Sequence, residues 1–349
     1  MLFAATLLAA LAASDGPFPP GLRMNDIQVI GTHNSYHIAP PTALYSLFAD
    51  QARAWQYTHA PLRTQLSDQN IRALELDVHH DPNGGEFRDP LFGHGSSALL
   101  KQPGFKVFHV PSFDQGTRCV LLKDALTQVA TWSAAHAEHI PILIQLELKD
   151  SGYEGPGGYR IEPPPPFDAA ALDALDALIR STIGDDRLIT PDLVRGDAAT
   201  LDEAVTTRGW PELSAVAGRV MIILECGNDV RARYLDGKPS GQGRPCFVGA
   251  PPGTPAAAYL VINDPIAQGA RIKELVRRGY IVRTRADANL KEVRANDPTR
   301  RDAAFASGAN IISTDAPVPC SDLRSAYVCG LPEGGCWRPA PIRSNTETP

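Results

Sequence analysis

In the stretch "ALELDVHH", residues 73–80, Leu74, Leu76 and Val78 alternate with Glu75, Asp77 and His79. An extended strand sends those two sets to opposite faces. The apolar set has a core to join. The other set carries two carboxylates and a histidine, which are unfavourable to bury unpaired. That face fits the interior of a parallel barrel near its mouth, where the C-terminal ends of the strands carry the chemistry.

Working outward, seven further apolar runs punctuate the chain. They are "IQVIG" (27–31), "KVFHV" (106–110), "PILIQLEL" (141–148), "RVMIILE" (219–225), "YLVIND" (259–264), "YIVRTR" (280–285) and "NIISTD" (310–315). Helical periodicity fills several of the gaps, as in "LLKDALTQVATWSAAHA", "FDAAALDALDALIRSTI", "GARIKELVRRG" and "RDAAFASG". Strands alternating with helices pair in parallel through right-handed crossovers. Eight of them predict an α/β fold of the closed (β/α)₈ TIM-barrel type, with long loops. No glycine fingerprint opens the first helix, so a dinucleotide site is not expected. The proline-rich segments 162–167 and 250–258 read as loops of one domain, because strands continue at similar spacing on both sides.

The first thirteen residues, "MLFAATLLAALAA", are apolar, too short for a membrane span, and end near an "ALA" tripeptide at 10–12. They predict a cleaved export signal over 1–13, a secreted or periplasmic protein, and one barrel domain over 14–349 that includes a cysteine-bearing tail. Six cysteines suit an oxidising compartment and match no zinc spacing, so structural disulfides are expected. A net charge of −6 argues against nucleic acid as a partner. No other segment is long and apolar enough to form a transmembrane span, and nothing in the sequence demands more than a monomer.

Polar residues gather where the strands end. The same alternation places Gln145, Glu147 and Lys149 on one face, and Arg283, Arg285 and Asp287 on another. The first strand runs into "GTHNSYH" (31–37), which delivers His33 and Asn34, and His109 ends the third run. Carboxylates converging from different strands repel one another unless a cation sits among them. Glu75, Asp77 and Glu147, with the Asn34 amide oxygen, form an all-oxygen set suited to Ca²⁺ or Mg²⁺ rather than zinc. His33 and His109 would flank that ion, placed for proton transfer or for hydrogen bonds to phosphate. Taken singly, each residue has a plainer reading. Asn34 and Ser35 could cap a helix, Glu75 or Asp77 could form an ion pair, and His59, His136 and His139 could be satisfied in packing.

The motifs "GTHNSYH", "ALELDVHHDP", "VFHVPSFDQGTRC" and "PILIQLELKD" resemble, in order and spacing, the Ca²⁺-dependent phosphoinositide-specific phospholipases C of bacterial secreted type. "GYIVRTRAD" and "AFASGANIISTDAP" extend the resemblance over nearly the whole chain after the leader. The related glycerophosphodiesterases usually carry His-Arg-Gly where this chain has His33-Asn34. The resemblance implies a catalytic pair at His33 and His109 and Ca²⁺ ligands at Asn34, Glu75, Asp77 and Glu147. It departs from the family pattern at His79 and His80, and in the long segment "LFGHGSSALLKQPGF".

Cleavage of phosphatidylinositol on the glycerol side is thereby implied, by attack of the inositol 2-hydroxyl, releasing diacylglycerol and an inositol (cyclic) phosphate at a membrane interface. Lys149 and Arg285 share strand faces with the site and are the candidates for further substrate contacts. Tyr45, Leu47, Phe48 and Trp55 form either a membrane-facing rim or the apolar face of a helix packed on the barrel. Two rival functions stand beside this one. A phosphodiesterase of the same fold could act on glycerophosphodiesters or sphingomyelin-type substrates. A catalytically idle binding protein would be expected to have lost a ligand or a histidine, and none is missing. No Gly-x-Ser-x-Gly elbow supports a serine hydrolase.

Overall fold

Strand β1 (Ile27–Thr32) lies beside β2 (Ala73–Asp81) with Gly31 opposite Ala73. A Cβ added at Gly31 would sit 2.9 Å from that of Ala73, so the close approach of the two strands requires glycine. The computed structural model describes residues 16, 18–154 and 159–342. The expected export signal over 1–13 lies outside the described residues.

Beyond these two come β3 (Gly104–Val107), β4 (Ile142–Leu148), β5 (Val220–Glu225), β6 (Cys246–Val248), β7 (Tyr259–Val261), β8 (Ile281–Arg285) and β9 (Ile311–Thr314). Parallel ladders run β7–β8–β9–β1–β2–β4–β5–β6. A single parallel bridge between Gly249 and Tyr259 joins the two ends of the series. The result is an eight-stranded parallel barrel, as the alternation of strands and helices predicted.

One strand of that expectation is misplaced. The run "KVFHV" does not enter the barrel; β3 pairs antiparallel with the end of β2, Val107 against Val78. β2 outlasts β1, and β3 occupies the edge left free. The eighth barrel position goes to Cys246–Val248, which lies outside the eight predicted runs. Apolar periodicity reports burial but not strand direction, and three residues are too few to show a period.

The predicted helices form an outer ring at Leu122–Ala135, Ala169–Ile183, Pro265–Arg277 and Thr299–Ala306. Capping explains two of the starts: Asp168 accepts from the Ala171 N–H at 2.8 Å, and Asp264, just before Pro265, accepts from Ile266 and Ala267. Leu172, Leu175, Ile179 and Ile183 repeat at helical spacing and are buried, which fastens that helix to the wall. The tail returns to the barrel floor, where Arg338–Pro339 pairs antiparallel with the start of β1 and Trp337 is fully buried. The expected disulfides are not found among the described residues: no pair of the six cysteines is bridged, and four of them are buried. Among the described residues no helix is long and apolar enough to cross a membrane.

Candidate active site at the barrel mouth

The turn after β1 is pinned to β2 rather than starting a helix. Ser35 N–H donates to the Glu75 carbonyl at 2.9 Å, and Ser35 Oγ accepts from Glu75 N–H at 2.9 Å. Gln65 clamps the same turn through Thr32 Oγ1 (2.7 Å) and the Ser35 carbonyl (2.6 Å). Asn34 adopts a φ of 47°, a left-handed conformation that asparagine tolerates well. The following helix begins only at Thr42, so the capping alternative does not hold. Because the turn is fixed, His33 and Asn34 project into the mouth.

His33 Nδ1 donates to Asp315 Oδ1 at 2.7 Å. Against the burial that would raise its pKa, Arg285 and then His33 hold Asp315 well below the usual carboxylate range. Asp287, behind it, is pushed up by burial and by Asp315. His33 itself is lowered, first by burial and then by Arg285. Arg285 was expected among the substrate contacts. It lies instead behind His33, buried, with Nη2 on Asp315 at 2.7 Å and Nε on the Asp287 carbonyl at 2.9 Å.

On the far side of the mouth, His109 is delivered by the tight turn after β3. Its Nδ1 donates to Asp114 Oδ2 at 2.8 Å, and the Trp55 ring meets it edge-on at 5.5 Å. Asp114 is fully buried; against that burial, the His37 charge and the His109 hydrogen bond hold its carboxyl far below the ordinary range. Two histidine–carboxylate pairs thus frame the opening.

Between them lie Glu75, Asp77 and Glu147, each offering a carboxylate oxygen within 4.8 Å of the others. Register explains the meeting, since Asp77 of β2 stands opposite Glu147 of β4. Asp77 is completely buried; its Oδ2 faces the Lys149 ammonium in an ion pair, but its Oδ1 accepts no hydrogen bond. Burial pushes its carboxyl up to about 7. A buried acceptor with nothing to accept, in an all-oxygen set, fits a hard divalent cation. Asn34 is buried, with its amide nitrogen unpartnered. Lys149 supplies a built-in positive charge, with Nζ 2.6 Å from Glu147 Oε1 and 3.1 Å from Asp77 Oδ2. Against burial, Asp77 and then Glu147 hold that ammonium above the ordinary lysine range. Glu75 is also held by Arg283 of β8, which contacts Asn263 and Ser313 as well.

Several residues at the mouth were missed or left without a role in the sequence. Asp315 closes the "NIISTD" run and Glu225 closes "RVMIILE". The criterion that selected Glu75 and Glu147, a charged group at a strand end, applies to both. Glu225 is pushed up to about 7 by burial and stands in register with Glu147. His79 faces the mouth but is a packing residue, stacked 4.1 Å from the Phe108 ring and lowered to about 3 by burial. His80 points away and bonds the Pro166 carbonyl at 3.0 Å. His59 and His139 are buried with hydrogen-bond partners, and His136 stacks on Trp132.

Two hollows adjoin at His109. One, of about 490 Å³, is lined by Glu147, Lys149, Asp150, Tyr153 and Glu225. The other, of about 720 Å³, is lined by Arg53, Trp55, Tyr153, Lys291 and Arg294.

A parallel barrel whose mouth holds a carboxylate set for a divalent cation, flanked by two imidazoles with free Nε2 atoms, has the equipment of a metal-assisted phosphodiesterase. Residues 22–341 match the family model described as "Phosphoinositide phospholipase C, Ca2+-dependent". The chain belongs to that family, and its activity class is that of a Ca²⁺-dependent phospholipase C. Among solved structures it is similar to a calcium-dependent phosphoinositol-specific phospholipase C from a Gram-negative Pseudomonas species. That match has a TM-score of 0.58 at 17% identity over 95% of this chain and 99% of that one. A myoinositol complex of the Pseudomonas enzyme matches with a TM-score of 0.56 at 17% identity, covering 91% and 95%. The Ca²⁺-dependent phosphatidylinositol-specific enzyme of Streptomyces antibioticus matches with a TM-score of 0.52 at 20% identity, covering 87% and 98%. At these identities the likeness is one of fold. No curated protein matches the chain.

Proposed function

We propose that this protein cleaves phosphatidylinositol on the glycerol side of its phosphate, releasing diacylglycerol and an inositol cyclic phosphate. The observation that carries the reading is the pair of histidine–carboxylate dyads, His33–Asp315 and His109–Asp114, facing each other across Glu75, Asp77 and Glu147. The attacking group is the inositol 2-hydroxyl, so the mechanism has no covalent enzyme intermediate.

Asn34, Glu75, Asp77 and Glu147 would hold Ca²⁺, which when bound supplies Lewis acidity toward the hydroxyl and the phosphoryl oxygens. Asp315 fixes the His33 tautomer, leaving Nε2 to donate to a phosphoryl oxygen as charge builds on phosphorus. Asp114 does the same for His109, whose Nε2 gives a proton to the departing glycerol oxygen as the phosphorus–oxygen bond breaks. The hydroxyl proton passes to the Glu75–Asp77 pair. Lys149 adds a phosphate contact at the rim, while Arg285 acts through Asp315 as a positioning residue.

The acid-lined hollow suits the hydroxyls of inositol, and the cation-lined hollow suits the lipid side. Access from a membrane interface is supported by the loops above the strand ends. Among the described residues every exposed large hydrophobic except Leu193 lies in a segment that leaves the C-terminal end of a barrel strand: Leu47, Phe92, Tyr159, Ile266 and Val318. Of the aromatic residues after β1, Trp55 is buried with Leu44 against Val110 and Phe113. Leu47 stands free, and the Phe48 side chain lies outside the described part. Secretion remains the expected setting for an enzyme that meets lipid in this way.

Phosphorus NMR of the protein with phosphatidylinositol in mixed micelles tests the proposal, first with Ca²⁺ and then with excess chelator. A calcium-dependent cyclic inositol phosphate resonance is expected. No turnover by folded protein in Ca²⁺ would overturn the substrate and point to glycerophosphodiesters or sphingomyelin on the same site.

A further inference from the structure

We propose that His37 is held as a permanent imidazolium whose charge offsets Asp114, so that His109 works beside a neutral ion pair instead of a bare anion. The inference rests on the reading of His109 as a proton carrier, and it adds a positioning residue that neither family membership nor strand-end chemistry singles out.

The ring of His37 is fully buried in the turn after β1. Its Nδ1 lies 2.9 Å from the Tyr57 carbonyl oxygen, and its Nε2 lies 2.8 Å from Asp114 Oδ2. A carbonyl oxygen only accepts, so Nδ1 carries a hydrogen. Nε2 could be bare only if Asp114 were a carboxylic acid donating to it. That places the proton on the more acidic group, against an intrinsic preference for imidazole of about 2.6 pH units. Asp114 Oδ2 also receives the His109 Nδ1–H at 2.8 Å, which favours the carboxylate form further. Both nitrogens of His37 are therefore donors, and the ring is charged. The face of Tyr57, stacked on it at 4.4 Å, is a favourable surface for a buried cation.

Other groups facing this cluster do not supply the missing charge. His94 Nε2 is 3.5 Å from Asp114 Oδ1 but accepts from the Gly116 N–H at 3.1 Å, so it is neutral. Trp55 meets His109 with an uncharged ring. Asp77, Glu147 and Lys149 face it across the mouth, and Asp315 and His59 lie beyond Tyr57. A lone carboxylate at hydrogen-bond distance would draw an imidazole strongly toward its protonated form. The His37 ring, 6.1 Å from that of His109 between centroids, opposes that pull. Tyr57 also ties the arrangement to the first dyad, since its hydroxyl is 3.4 Å from His33 Nδ1. One buried cation thus braces both working histidines.

Histidine ring-nitrogen NMR on the Ca²⁺-saturated protein tests the proposal without reference to turnover. The wild type is expected to show one imidazolium that stays protonated above the ordinary histidine range, absent in His37→Gln. In His37→Gln the titration midpoint of His109 is expected to rise by about one pH unit, a tenfold gain in proton affinity. In His37→Gln/Asp114→Asn, with both charges gone, it returns to within a few tenths of the wild-type value. A merely structural role for His37 gives no such cancellation. A neutral His37 tautomer at pH 7, or an unmoved His109 midpoint in the single variant, would overturn the proposal. Should His37→Gln fail to fold, the wild-type resonance decides the charge alone. Absent phosphatidylinositol turnover would sink the substrate assignment and leave this result standing.

Discussion

Calcium binding here should be a proton-coupled event, and Asp77 sets the coupling. Its carboxyl, pushed up to about 7 by burial, must ionise before it can serve a cation. Glu147 sits on the other side of the balance, since Lys149 outweighs burial and holds it below its ordinary value. With a carboxyl near 7, Asp77 would be about nine-tenths ionised at pH 8 and about one-tenth at pH 6. Apparent Ca²⁺ affinity should therefore fall about tenfold across that interval, about 1.4 kcal/mol. Calorimetric titration in buffers of different ionisation enthalpy reads both the affinity and the proton released. Close to one proton should leave per ion at pH 6, and almost none at pH 8.

The metal-free protein should show the converse in its stability. A folded-state pKa above the unfolded value means that the native state binds more protons between about pH 4 and pH 7, so stability falls as pH rises through that window. For Asp77 alone the ceiling is about 4 kcal/mol, and Ca²⁺ should restore the loss. Glu225, raised to about 7, and Asp287, also raised, contribute to the same slope, so metal-linked proton release is the sharper measurement. Equal Ca²⁺ affinity at pH 6 and pH 8 with no proton release would refute the reasoning.

Asp315→Asn removes the acceptor that fixes the His33 tautomer and leaves Arg285 without its anion; kcat in a phosphatidylinositol assay should fall about 10³-fold, with KM little changed. Lys149→Met strips the ammonium from beside Asp77 and Glu147. Because Lys149 lowers Asp77, the pH at which Ca²⁺ affinity is half-maximal should move up by about one unit in the same calorimetric titration. Leu47→Asp places a charge on an exposed rim position. Activity on vesicles should drop about tenfold while activity on a monomeric, short-chain substrate is unchanged, as comparison of initial rates on the two will show.

What the sequence made legible follows the range over which each feature is encoded. Glu75 and Asp77 share a strand, Glu147 and Lys149 share the next, and a period of two places each pair on one face. His109 and Asp114 are five residues apart, so that orienting bond is local in the sequence. The His33–Asp315 bond spans 282 residues and the Glu75–Arg283 pair 208. No local pattern encodes those partners, and Arg285 was accordingly assigned to substrate when its donors are taken by Asp315 and the Asp287 carbonyl.

Yet one of the long-range partners follows from the barrel itself. A closed parallel barrel makes its first and last strands neighbours, and β1 does pair with β9, Thr32 against Thr314. The residue after each strand then meets the other at the mouth, and those residues are His33 and Asp315. An expectation of closure, combined with the strand-end rule, was enough to propose that dyad before any coordinate. The same logic does not reach β6: its three residues carry no period, and the barrel closes there through a single bridge. Closure between β9 and β1 is a four-pair parallel ladder, and it holds the first proposed catalytic histidine and its carboxylate. The seam beside Gly249 is joined by one bridge, at a position from which none of the proposed catalytic or metal-binding groups is drawn.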